Sequence, residues 1–267
     1  VGGGALGPAL IVYVWSFKEV PVWLAVFDLK GIRIVGTIAG LAIAVVGYTF
    51  PVFRYLGRAM YAGNVGKAEY EKQSPWPTVS LMLLGACLSG VALLGTWGST
   101  QWAATWAGQL TQNTPDADKN PREWTQIVLA IGAVVGTILA ALSGDWFGRR
   151  VTYMGMCVLS LLGAVIFFQT HNSYGTSFLI WSFIAGATTA SFYGWLPLYL
   201  PELFATRVRA TGQGFSFNFG RILAAIGTLQ MGALLPFFGE YKTYAGISGG
   251  YPVACSFICA IYFFGMV

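Results

Sequence analysis

The sequence predicts an all-α polytopic membrane protein, on three observations. Only 9% of its 267 residues are charged, against roughly a quarter in a soluble domain, so a water-facing surface cannot be built from it. Its apolar residues, 56% of the chain at a mean hydropathy of +0.64, fall in runs near the roughly 20 residues that one membrane span requires. Finally, 35 glycines suit membrane helices, which use small residues to bring their backbones together.

Two apolar stretches come first, at 1–15 and 31–50, followed by a basic, polar segment at 54–78 with Arg54, Arg58, Lys67 and Lys72. Six clear spans then follow near 79–106, 124–144, 151–170, 176–200, 211–238 and 251–267. Short polar loops divide them, among them "GDWFGRR", "HNSYG" and "PELFATRVRA". Basic residues concentrate in alternate loops: Arg149, Arg150, Arg207 and Arg209 join the four of 54–78. The intervening loops hold Lys119, Arg122 and Lys242, offset by Asp116, Asp118, Glu123 and Glu240. Positive-inside bias therefore assigns the first set to the cytoplasm. The placement of the beginning stays open: either 1–15 runs outward and 31–50 crosses back, or 31–50 does not cross in the ordinary way.

The net charge of +5 is spread over short loops, so it carries no nucleic-acid signal. Cys87, Cys157, Cys255 and Cys259 all lie in apolar runs, and His171 is the one histidine. No zinc set can be assembled from them, and the cysteines read as buried small hydrophobes. The chain opens on Val1 and closes inside the apolar run "YPVACSFICAIYFFGMV", so it is expected to be a piece of a longer protein.

Three charges crowd into "GDWFGRR", residues 144–150. Asp145 ends a helix, where the macrodipole disfavours an anion, and Arg149 and Arg150 are its nearest cations. Two spans later "PELFATRVRA" supplies Glu202, Arg207 and Arg209. Such turns suit a charge cluster that forms and breaks as helix ends meet and part, and breaking partly buried pairs costs a few kcal/mol. "GDWFGRR" resembles the loop motif G-x-x-x-D-[RK]-x-G-[RK]-[RK] of the major facilitator superfamily through Asp145, Gly148, Arg149 and Arg150. Ala141 and Trp146 depart from it. "PELFATRVR" resembles the E-x6-R motif of sugar-porter-like and metabolite symporter branches through Glu202 and Arg209. The resemblance covers 79–267. It implies the carboxyl-terminal six-helix bundle of that fold, two inverted three-helix repeats, with 1–78 as the end of the amino-terminal half and the central loop. It also implies that Asp145, Gly148, Arg149, Arg150, Glu202, Arg207 and Arg209 form a cytoplasmic gate whose partner helix belongs to the amino-terminal half.

In that superfamily spans seven, eight, ten and eleven face the central cavity. Candidate substrate contacts are then Trp97, Gln101 and Trp102 in "GTWGSTQWAATW", Tyr193 and Trp195 in "SFYGWLP", and Asn218 and Arg221 in "FSFNFGR". Trp102 and Trp106 also suit an interfacial aromatic belt. Arg221 lies roughly 15 Å into its span by helical rise, and a charge at that depth is a functional hypothesis by default. The alternatives are snorkelling to the cytoplasmic edge or pairing within the gate. No carboxylate lies within the six spans, so proton coupling is expected to be carried in the amino-terminal half.

These features imply a multi-pass protein of the plasma (inner) membrane that moves a small polar metabolite, a sugar or an organic or aromatic acid, with a proton as candidate co-substrate and no bound cofactor. Two alternatives differ in class. "GISG", 246–249, fits the nucleophile pattern of intramembrane serine proteases, but those need a histidine from another span as base, and His171 lies in a loop. A half-size dimeric channel or transporter is the other.

Overall fold

The computed structural model describes residues 2–17, 19, 28–63, 76–112, 120–243, 246 and 249–266. Its regular elements are helices: α1 (Gly2–Ser16), α2 (Leu29–Gly63), α3 (Trp76–Gly98), α4 (Ala103–Thr111), α5 (Pro121–Trp146), α6 (Arg149–Thr170), α7 (Thr176–Ala190), α8 (Phe192–Glu202), α9 (Arg209–Gly239), α10 (Tyr251–Cys259) and α11 (Ile261–Phe264). A helix satisfies its backbone hydrogen bonds within the segment, which hydrocarbon surroundings demand. Among the described residues, four stretches are long and apolar enough to cross a membrane: Leu29–Arg58, Trp76–Thr111, Pro121–Trp146 and Arg149–Thr170. Lys67, Lys72, Asp116, Asp118, Lys119 and Ser248 lie outside the described residues.

The chain divides into two units. One comprises Val1–Ser80 with Ala205–Thr211, the other Leu81–Phe204 with Gly212–Val267. In the first, α1 and α2 form an antiparallel hairpin. Gly7 abuts Gly40 and Ala44, whereas Val14 abuts Gly36. At the connecting end the Trp15 indole donates to Thr37 Oγ1 at 3.0 Å, and Arg33 donates to the Phe17 carbonyl at 2.9 Å. This hairpin fits the arrangement in which 1–15 runs one way and 31–50 crosses back. The helix also continues beyond 50, so Arg54 and Arg58 ride on α2 rather than in a loop.

In the second unit the expected spans are broken where side chains compete for backbone bonds. The run 79–106, expected as one helix, is α3, a 3-10 turn over Thr100–Trp102 and then α4. Thr96 donates back to the Ala92 carbonyl at 2.9 Å, Ser99 bonds back to Gly95, and the Trp102 amide takes the short bond to Ser99 at 3.0 Å. Back-bonding hydroxyls of this kind bend helices. The run 176–200 breaks at Ser191 between α7 and α8. There the Ser191 hydroxyl donates to the Thr188 carbonyl at 2.6 Å, and Pro197 removes a backbone donor six residues on. At the end of the chain, 251–267 divides at Ala260 into α10 and α11.

The core is aromatic. Trp106, expected at an interfacial belt, is 3% exposed and packs on Phe167, Phe168 and Phe178 at 5.3–5.6 Å between ring centroids. A second set joins Tyr153, Phe192, Trp195 and Tyr262. Cys157, Cys255 and Cys259 are buried as expected, but Cys87 is exposed on α3. His171 is buried where α6 ends. Its Nδ1 lies 3.0 Å from the Phe167 carbonyl, and its Nε2 lies 3.0 Å from Ser177 Oγ at the start of α7. It therefore ties two helix ends together.

The closest pairing is α5 on α7. A Cβ at Gly132 would strike the carbonyl of Phe183, one at Gly136 that of Ala187, and one at Gly186 that of Leu129. Only glycine permits this approach, the small-xxx-small geometry of membrane interfaces. Gly136→Ala is therefore expected to destabilise the protein by about 1–3 kcal/mol through overpacking against backbone that cannot give way. Gly155→Ala, on an α6 face with open space around it, is expected to leave stability unchanged or raised. Thermal unfolding of the two variants in detergent checks the contrast.

Candidate functional site

Two features stand at opposite ends of α5. The first is charged. α5 runs to Trp146, so Asp145 is its penultimate residue, at the negative end of the helix. Arg149 opens α6, at the positive end of that helix. Glu202 closes α8, again at a negative end. Each charge sits where its own helix dipole disfavours it, and each finds relief in the others. Arg149 donates from Nε to Glu202 Oε2 at 3.1 Å and from Nη2 to Oε1 at 2.7 Å, a bidentate pair, and from Nη1 to Asp145 Oδ1 at 3.0 Å. The turn that permits this is built at Gly148, whose φ of 80° and ψ of 159° fall in a region essentially reserved for glycine. Thr152 in the first turn of α6 locks it by donating to the Ser143 carbonyl of α5 at 3.0 Å.

The sequence suggests partly buried pairs costing a few kcal/mol to break. The structure shows the Glu202 and Asp145 side chains 47% and 65% exposed, and Arg149 26%. Solvent screening at that exposure brings the cluster down to about 1 kcal/mol. Arg150 is exposed, with no ion pair among the described residues. Arg207 and Arg209 fall in the first unit, where the Arg207 carbonyl accepts from the Tyr55 hydroxyl at 3.4 Å.

The second feature is a cavity of about 250 Å³ between the end of α3, the 3-10 turn, α5 and the α7–α8 break. Along α5 it lies roughly 28 Å from the charged turn, counting from Gln126 to Asp145 at 1.5 Å per residue. Its walls carry Trp97, Gln101, Gln126 and Tyr193 over a floor of Leu129, Ala130, Ala133, Gly186 and Ala190. Three threonines hold its edge. Thr96 Oγ1 shares its one proton between the Ala92 carbonyl and the Thr189 carbonyl 2.8 Å away, and the Thr100 and Thr189 hydroxyls lie 3.0 Å apart. The Tyr193 hydroxyl lies beside Thr96 and Trp97 without an ordinary hydrogen bond to either among the described residues, so a ligand acceptor can take its proton in a hydrogen bond.

The structure thus brings together Trp97, Gln101 and Tyr193 of the residues singled out in the sequence. Trp102 stacks instead on Tyr251 at 5.8 Å. Trp195 is 1% exposed and stacks on Tyr199 at 4.6 Å, on the side of the charged end. Asn218 turns its amide back to the Gly214 carbonyl at 2.8 Å. Arg221 lies 5.0 Å over the Phe217 ring, exposed and without an ion pair among the described residues. Neither Asn218 nor Arg221 lines the cavity. Sequence reasoning missed Gln126 and the three threonines. Gln126 carried a signal, as an amide opening the otherwise apolar stretch "IVLAIGAVVGTILAALSG".

Residues 30–266 match the family model described as "Sugar (and other) transporter". Among curated proteins, the chain is 34% identical over 109 residues to the inner membrane metabolite transport protein YhjE of Escherichia coli, covering 40% of this chain and 25% of that protein. It is 26% identical over 161 residues to the cis,cis-muconate transport protein of Acinetobacter baylyi, covering 58% and 36%. It is 31% identical over 109 residues to the benzoate transport protein of the same organism, covering 40% and 22%. The chain spans less than two fifths of the length of the curated relatives it matches.

Two outcomes are expected at the charged turn. Gly148→Ala should cost about 1–3 kcal/mol of backbone strain, read as a lowered unfolding temperature. The hydrogen bond from Arg149 holds the Glu202 carboxyl below the usual carboxylate range. Because this value is depressed in the folded state, the stabilisation is complete above the ordinary glutamate value and is lost as pH falls through the lowered one. Glu202→Gln should then unfold slightly earlier than the parent at pH 7, and the difference should vanish in strong acid. Unfolding temperatures of both proteins across pH 3–8 check the sign.

Proposed function

The chain belongs to the sugar (and other) transporter family, and from that membership we propose that residues 79–267 form the carboxyl-terminal half of a secondary transporter for a small organic metabolite. The observation that carries the reading is the cavity between α3, α5 and the α7–α8 break. It pairs an aromatic face, Trp97, with two amides, Gln101 and Gln126, and an unpartnered hydroxyl, Tyr193. Its volume of about 250 Å³ is just below the 300–1,000 Å³ of drug-sized pockets, a fit for a compound of one ring or its open-chain equivalent. The relatives named for muconate and benzoate transport favour an aromatic or unsaturated acid over a sugar.

In this reading the indole packs on the substrate's flat face, and the amides and Tyr193 donate to its oxygens. None of the residues lining the cavity is charged. Arg221, exposed midway along α9, is the counter-charge for the carboxylate, and it is reached where the amino-terminal half closes over this face. The Arg149 cluster holds the cytoplasmic ends of α5, α6 and α8 together in one state of an alternating-access cycle and parts in the other. A cluster worth about 1 kcal/mol suits that role, because it biases the states without freezing either. A co-transported proton would be carried by the amino-terminal half, and the protein would reside in the plasma (inner) membrane. The family is one of transporters; among the described residues, moreover, His171 serves as a tie between helix ends, so the protease alternative has no base to offer.

Uptake of labelled benzoate, cis,cis-muconate and glucose by full-length protein in proteoliposomes, with and without an inward proton gradient, tests the proposal. An acid is expected to accumulate, and more so with the gradient. Tyr193→Phe and Gln126→Ala should each raise KM about 5- to 20-fold, as for loss of one buried hydrogen bond. Arg221→Ala should impair the acids while sparing a neutral amide analogue. Accumulation of glucose alone, or unchanged kinetics in all three variants, would overturn the assignment.

A further inference from the structure

A second cavity, of about 440 Å³, opens beside the charged turn between α3, α6, α8 and residues 265–266. It is lined by Leu84 and Leu88 of α3, Arg149, Arg150, Tyr153 and Met154 of α6, Trp195 and Tyr199 of α8, and Gly265 and Met266. We propose that this cavity binds an anionic phospholipid, with the phosphate held by Arg150 and the acyl chain laid along α3 and α6.

Four observations converge on that occupant. The rim is cationic and available: Arg149 spends three of its donors on Glu202 and Asp145, whereas Arg150 next to it is exposed and has no ion pair among the described residues. The wall beside it is aromatic, from Tyr153, Trp195 and Tyr199. The deeper walls are aliphatic, from Leu84, Leu88 and Met154. Finally, the cavity-lining Leu84 of α3 and Met154 of α6 are themselves exposed, as are Leu83 beside the one and Val158 one turn on from the other.

A soluble anion would be served by the rim alone and has no use for that apolar continuation. A protein segment would bring backbone groups to a surface with few polar partners for them. An amphiphile with one negative head satisfies both parts at once. The cavity lies at the end that positive-inside bias assigns to the cytoplasm, where basic pockets between membrane helices meet anionic headgroups. It also touches Arg149, so an occupant there would reach the cluster that joins α6 to α8. The inference needs no assumption about what the protein transports.

The test is binding to purified full-length protein in a neutral detergent by microscale thermophoresis, with dioctanoyl phosphatidylglycerol, dioctanoyl phosphatidylcholine and free glycerol phosphate as the three probes. Phosphatidylglycerol is expected to bind about tenfold or more tightly than the other two. Arg150→Gln should weaken it about fivefold, the effect of one basic residue near an anionic headgroup, and Arg150→Lys should restore most of that. Arg122→Gln, remote in sequence at the start of α5, should leave it unchanged. Because Arg150 is exposed and unpaired, its variants are expected to fold, so the proposal stands or falls on them. Equal affinity for phosphatidylcholine, equal affinity for glycerol phosphate, or undiminished phosphatidylglycerol binding by Arg150→Gln would each overturn it.

Discussion

The backbone contact between α5 and α7 is the constraint on which the rest of the larger unit depends. Gly132, Gly136 and Gly186 let two helices approach until carbonyls of one occupy the space that side chains of the other would fill. In lipid, where apolar surface is no better hidden against protein than against acyl chains, such van der Waals contact and small residues drive helix association. At one end the pair presents Leu129, Ala130, Ala133 and Gly186 as a cavity floor, and at the other it delivers Asp145 to the charged turn.

The helices break where that pair meets its neighbours. α7 passes into α8 at Ser191, and α3 passes into α4 through the Thr100–Trp102 turn. Both breaks border the same cavity, and the Thr96, Thr100 and Thr189 hydroxyls bridge them. Helix breaks at membrane depth are tolerated where the freed backbone groups find side-chain partners or line a cavity. The threonines supply the first condition and the 250 Å³ space the second. Irregular backbone and polar wall therefore share a single location.

The charged turn shows how weak interactions can be specific. Asp145, Arg149 and Glu202 each oppose the dipole of the helix they sit on, so no one of the three is well placed alone. The bidentate guanidinium geometry selects a single arrangement, while exposure keeps its strength near that of a surface pair. Gly148 fixes the backbone from which this arrangement is reached. Holding helix ends in register needs geometric definition more than it needs strength.

The sequence by itself determined the helical class, the approximate places of the spans and the identity of the charged turns. Those properties follow from hydropathy and from motifs a few residues long, and they are local. It also marked Trp97, Gln101 and Tyr193. It could not place Trp195, only two residues from Tyr193 but buried against Tyr199 and Tyr153, because a helix sends such neighbours to different faces and only packing says which face is inward. Nor could it find the breaks at 99–102 and 191, since a threonine or serine in an apolar run bends a helix only if its hydroxyl turns back to the backbone. Gln126 was legible as an amide in an apolar stretch, yet its meeting with α3 and α8 required the α5–α7 contact. The two turn motifs already put Arg149 and Glu202 in one expected cluster, whereas the tertiary structure alone decided which polar groups share a cavity and that Arg149 takes Glu202, 53 residues away, as its bidentate partner. Such pairings arise from helix packing, which no local pattern in the chain encodes.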